Sequence, residues 1–302
     1  MKTISPKIIY NAYRDIFNGG FNITPPDLHL PRIKAFIKDT YRVLRHPLKP
    51  ALLPGPIPPR LLLALQYDLF IFSGFKVYCQ FNESCTLYRD QKPREPHFEE
   101  FYEVTEHLRE LYNKHYLKAE YEYVVRCVKH ITEWVQTRGS EHEYNLLYQS
   151  SGCCPDHAAL DGICLPATHP FWEVAYPPNS WHCTCRVLPV DSNLPTTGIE
   201  KALKRLNKTL PGNNPMHSMF RFNPATTQSL NGGLGRIFPP EHPYYGPGHL
   251  LQCTCAYESS VEEPIVQTDY VRKDAIVPGE LSSEEFEQFW DKFFAAITRE
   301  DA

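Results

Sequence analysis

The sequence predicts an α+β fold, with a helical N-terminal region containing one long helix followed by a small mixed α/β module with proline-rich loops. Three observations carry this. Apolar residues recur at helical spacing in several stretches before residue 140. After Gly139 two short strand-like runs flank a turn-rich segment. The chain has 28 prolines in 302 residues, which imposes long, stiff, irregular connections.

Residues 5–17 and 31–46 read as amphipathic helices, the second with Ile33, Phe36, Ile37, Tyr41 and Leu44 on one side. Residues 47–59 are too rich in proline for helix or central strand and form a stiff linker. From Arg60 the pattern is helical and largely buried, with a break expected at Ser73-Gly74. The apolar run 61–75 is interrupted by Gln66 and Asp68, and by its length is not expected to span a bilayer. The long helix is predicted over 98–136, with Phe101, Val104, Leu108, Leu111, Ala119, Cys127, Val128, Ile131 and Val135 on its apolar side. Glu106, Arg109, Glu110, Lys114 and Lys118 form its solvated face.

Strands are predicted at 144–149 and 185–190, and a short basic helix at 199–206 with Leu203 and Leu206 inward. Residues 211–248 read as extended chain pinned by Phe220, Phe222, Phe238, Tyr244 and Tyr245. The Asn231-Gly-Gly-Leu-Gly235 run lacks the lysine and strand-to-helix context of a phosphate cradle, so it reads as a flexible loop. Ser282-Ser-Glu-Glu285 is a capping box ahead of a stripe of Phe286, Phe289, Trp290, Phe293 and Ile297. The predicted organisation is a helical region over 1–140, a module over 141–260 and a tail over 261–302.

Five of the ten cysteines and three histidines fall within residues 148–187. Cys153, Cys154 and His157 stand at its front, and His182, Cys183 and Cys185 at its back. Thiolate and imidazole suit tetrahedral zinc, and one pair from each end gives Cys154, His157, Cys183 and Cys185 as a structural site. The tight Cys-Thr-Cys spacing leaves two alternatives open: buried free thiols, or a disulfide in an oxidising compartment. The Gln252-Cys-Thr-Cys255 run echoes His182-Cys-Thr-Cys185, a coincidence on its face. A Cys-His nucleophile or a histidine nuclease built from these sequence neighbours is geometrically disfavoured, since such groups converge from different parts of a fold.

The net charge of -4 gives no electrostatic case for broad nucleic-acid binding. The first residues lack the apolar core of a secretory signal, so a cytosolic origin is expected and the sequons at Asn22, Asn82 and Asn207 are chance matches.

Pro155, His157-Ala-Ala-Leu-Asp-Gly162, Leu165-Pro166, Pro170-Phe-Trp172, Tyr176-Pro-Pro-Asn179, Trp181 and Cys183-x-Cys185-Arg186 occur in that order. This segment resembles the signature of the Mu F-like family of phage head-morphogenesis (minor head) proteins. Residues 69–78 and 116–123 and the later segments 220–225 and 238–245 also resemble prophage members. The resemblance implies a virion protein of the phage head, made in the bacterial host cytoplasm and sited near the portal. Its implied partners are portal and capsid proteins, with packaged DNA a further one and no membrane; no defined enzymatic reaction is implied. Family members carry an Asp-x-Arg pair ahead of the histidine, and Ser150 and Gly152 stand there in this chain, so any role of that pair does not transfer. The alternative reading is a phage-delivered hydrolase or nuclease acting on host nucleic acid.

Overall fold

Proline sets the helix starts. Pro6, Pro31 and Pro59 each occupy the first turn of α1 (Pro6–Asn18), α2 (Pro31–Leu44) and α3 (Pro59–Asp90), where the missing N–H leaves no helical bond unmade. The computed structural model describes residues 3–91, 94–138, 144–152, 155–208, 219–228, 234–239, 241–245 and 291. The capping-box tail and the second Cys-Thr-Cys run lie outside them.

The longest helix is α3, with 32 residues, and it forms the axis of the helical region. Within 61–77 only Leu63 is exposed, so α3 is apolar around its whole circumference, as a central helix must be. It is long and apolar enough to cross a bilayer by length and composition, against the expectation from Gln66 and Asp68, yet 89% of its most apolar window is buried inside the protein. The expected break at Ser73-Gly74 is absent. Ser73 Oγ donates to the Leu69 carbonyl at 2.7 Å, which satisfies the hydroxyl inside the helix, and Gly74 is buried.

The single helix expected over 98–136 is instead segmented. It comprises α4 (Phe98–Val104), α5 (Glu106–Glu110), a π turn (Leu111–Tyr116) and α6 (Leu117–Arg138). Thr105 makes the first joint: its hydroxyl donates back to the Phe101 carbonyl at 2.8 Å. The solvated face holds for Glu106, Glu110, Lys114 and Lys118, whereas Arg109 folds back over the Tyr102 ring and donates to Thr105 Oγ1. Between α2 and α3 the chain forms 3-10 turns at His46–Leu48 and Pro50–Leu52, and Leu48 and Ile57 are buried.

The module is a three-stranded antiparallel sheet in the order β2-β1-β3, with β1 (Tyr144–Gln149) between β2 (Cys164–Pro166) and β3 (Arg186–Asp191). Short helices α7 (Pro155–Ala158) and α8 (Trp172–Ala175) lie in its connections, and α9 (Ile199–Lys208) follows. On α9 the inward residues are Ala202 and Leu206; Leu203 is exposed, which corrects the expected pair. Gly162 turns the chain into β2 at φ 71°, a left-handed conformation that glycine adopts without strain.

Aromatic contacts dock the sheet module on α6. Trp134 meets Tyr176 at 4.9 Å and Tyr123 meets Trp181 at 5.2 Å, both edge to face. Phe220, Phe222, Phe238, Tyr244 and Tyr245 are all buried, as the pinned-chain reading expects. Phe238 stacks on Phe72 of α3 at 3.5 Å, and Asp68 Oδ2 accepts the N–H groups of Ile237 and Phe238. The buried charge that interrupts the apolar run of α3 therefore clamps the chain that wraps it.

Candidate metal centre

His157, Cys183 and Cys185 converge although 26 and 28 residues separate the histidine from the two cysteines. Register explains the meeting. Tyr148 of β1 lies opposite Val187 of β3, and Cys185, two residues before Val187, continues the same face of the sheet. The chain leaving β1 passes into α7, which presents His157 above that face. The Ser180 carbonyl accepts the Cys183 N–H at 3.2 Å, a tight turn that brings the first thiol in beside the second. The Pro177-Pro178 peptide just before it is cis.

His157 Nδ1 lies 3.7 Å from Cys183 Sγ and 3.6 Å from Cys185 Sγ, and the three donor atoms fall within 4.8 Å of one another. All three residues are buried. With Zn–S and Zn–N bonds of ordinary length, the S···N edge of a tetrahedral site is about 3.5 Å, so the spacing matches that of a chelating set. Two thiols and an imidazole are also the donor chemistry that zinc prefers. Cys154, the fourth residue predicted from sequence, lies outside the described residues.

Two neighbours that the Cys/His spacing did not flag complete the surroundings. The Tyr148 hydroxyl, fully buried, accepts from Asn179 Nδ2 at 3.1 Å, and the same amide donates to the Ala175 carbonyl. Asn179 belongs to the ordered signature, which was the signal available for it; Tyr148, on β1 ahead of the signature, carried no such signal. The two thiols are unequal. A hydrogen bond from Cys183 holds Cys185 well below the ordinary thiol range, with His157 and Tyr148 adding to this, while Cys183, next to that sulfur and buried, is held far above it. An entering cation would ionise the second thiol and release its proton.

The remaining histidines of the segment do other things. His169 Nδ1 accepts the Phe171 N–H at 3.1 Å, a backbone cap, and His182 is exposed. Cys79, Cys85, Cys127 and Cys164 are buried free thiols with no ring nitrogen among their hydrogen-bond partners, the ordinary hydrophobic use of cysteine. Among the described residues no cysteine is in a disulfide.

Of the basic run 201–208, Arg205 is committed internally: its Nε donates to the Ala159 carbonyl at 2.6 Å and its Nη2 to that of Asp161. Lys201, Lys204 and Lys208 stay exposed. Asp161 Oδ1 accepts the Ser150 N–H at 2.7 Å, closing the loop between β1 and β2 around α7.

Comparison of the chain with protein families, with curated proteins and with solved structures finds no match.

Proposed function

We propose that this protein is a phage or prophage minor head protein, acting in head morphogenesis near the portal and assisting DNA packaging, retention or ejection. The observation that carries the reading is the ordered signature from Pro155 to Arg186. What adds support is that Leu160, Leu165, Phe171, Trp172, Tyr176, Cys183 and Cys185 are all buried, so the signature reads as the framework of a module and not as a string of exposed reactive groups. Trp172 Nε1 donates to the Pro166 carbonyl at 3.0 Å, and Asn223 reaches back to the Trp172 carbonyl, the pattern of a scaffold tied by its own side chains.

Zinc is the second part of the proposal: His157, Cys183 and Cys185 hold it with Cys154 as fourth ligand, and the ion fixes the loop structurally. Four protein ligands leave no open position for a substrate, in keeping with an assembly role.

Particles assembled from the host provide the test. The chain should co-purify with portal and capsid proteins, at low copy, and a deletion should lower the yield of DNA-filled heads. Absence from particles and from portal-containing intermediates, with head assembly unaffected by deletion, would remove the proposal.

A further inference from the structure

A cavity of about 460 Å³ lies where α3, the π turn, α6 and the chain around Trp181 and Tyr244 meet. Its walls are aromatic: Tyr112, Tyr116, Trp181 and Tyr244. The π turn supplies two of them, with the Tyr112 and Tyr116 rings 5.4 Å apart, and such turns recur at functional sites. The polar lining comprises the buried carboxylate of Glu120, the exposed one of Glu83, Asn82 and the imidazoles of His182 and His242.

Glu120 is half satisfied. Its Oε1 accepts hydrogen bonds from Lys76 Nζ at 2.9 Å and from the Tyr244 hydroxyl at 3.0 Å, while the buried Oε2 has no partner among the described residues. Lys76, 1% exposed, is packed with the rings of Tyr112, Tyr116 and Tyr244 at 5.0, 5.7 and 5.2 Å from its Nζ. The exposed Glu83 already accepts the Tyr112 hydroxyl on its Oε1 at 2.7 Å, so Glu120 Oε2 is the buried acceptor of this pair of carboxylates that is left unmet among the described residues. An incoming ammonium would supply the donor that Oε2 lacks; an anion would bring a further acceptor against it.

We propose that this cavity binds a primary alkylammonium group, its N–H donors directed at Glu120 Oε2 and its apolar stem against the aromatic walls. The group arrives either as a free small amine or as the lysine side chain of a partner protein. Both present the same chemistry.

Calorimetric titration of the full chain with pentylamine, Nα-acetyl-lysine methylamide, pentanol and pentanoate tests it. Saturable one-site binding of pentylamine is expected, with pentanol weaker by roughly tenfold or more and pentanoate not bound. Glu120→Gln would strip Lys76 of its counter-charge, so the diagnostic variants are Glu83→Gln and Tyr116→Ala, both at exposed residues. Each should weaken pentylamine roughly tenfold with an unchanged melting temperature. Equal binding of pentylamine and the lysine derivative assigns the site to a partner's lysine, and binding of pentylamine alone assigns it to a free amine. Failure of both amines to bind, binding of pentanol as tight as that of pentylamine, or wild-type affinity in both variants would overturn the proposal.

Discussion

Cys185 differs from Cys127 in one respect that decides their roles. Both are buried thiols, but Cys185 has an imidazole nitrogen at 3.6 Å and a second thiol beside it, while the Cys127 thiol has the Tyr123 hydroxyl as a neighbour and donates a long contact to the Ile237 carbonyl at 3.9 Å. If both merely fill space, serine at either position should destabilise by about 1 kcal/mol. If His157, Cys183 and Cys185 hold zinc, the two substitutions separate. Freshly purified protein should then contain about one zinc per chain by elemental analysis, since one tetrahedral cluster binds one ion. Cys185→Ser should abolish it and lower unfolding stability in urea by about 3 kcal/mol or more, because ion binding to a site absent from the unfolded chain is folding free energy. Cys127→Ser should leave the zinc content unchanged. Metal-free protein whose thiols all titrate freely would end the zinc assignment and return these residues to packing.

At the scale of elements, the sequence was legible where a local pattern coincided with the final environment. Helices α1 and α2 followed from apolar spacing, since each buries one face and exposes another, and β1 and β3 from short runs bounded by turn residues. The convergence of His157 with Cys183 and Cys185 was legible only as candidate ligands; the distances depend on strand register, which periodicity does not encode. The segmentation after Val104 was hidden, because a threonine that bonds back to the preceding turn and a π turn both keep apolar residues near helical spacing. Gly235 shows a different limit. It reads as part of a flexible loop, yet it has φ 110° and packs so closely on Leu61 and Leu65 of α3 that an added Cβ would collide with Leu61. Gly235→Ala should therefore destabilise by about 2–4 kcal/mol, from strained backbone and overpacking together, and chemical denaturation measures it. A change below about 0.5 kcal/mol, the range of ordinary surface substitutions, would mean that this chain is not docked on α3.

Across the whole molecule, α3 packs against α2, α4, α5 and the turn at Pro243–Tyr245, and Lys76 and Glu120 join it to α6 by an ion pair with side chains 1% and 3% exposed. Buried pairs of this kind fix an arrangement without adding much net stability, so single and double substitutions should differ sharply. Lys76→Met leaves Glu120 buried without its counter-charge and should destabilise by about 3–5 kcal/mol near neutral pH. The double variant Lys76→Met/Glu120→Leu should recover most of that loss, because apolar side chains of similar size replace both charges. The pH dependence supplies a second, signed test. Burial raises the Glu120 carboxyl above its ordinary value of 4.5, and Lys76 is the main group opposing that rise. Without Lys76 the folded state binds this proton more tightly than the unfolded chain does. The extra folded-state affinity contributes stability that is full below the unfolded value and is lost as pH rises through the folded one. The destabilisation of Lys76→Met relative to the double variant should accordingly shrink as pH falls from 7 toward 4.5, with Glu83, His242 and Cys79 common to both proteins and cancelling in the difference. Urea midpoints for the two variants across that range read the effect. A pH-independent difference would mean that Glu120 reaches solvent or another cation once Lys76 is gone, and that the junction between α3 and α6 is looser than an ion pair buried at 2.9 Å requires.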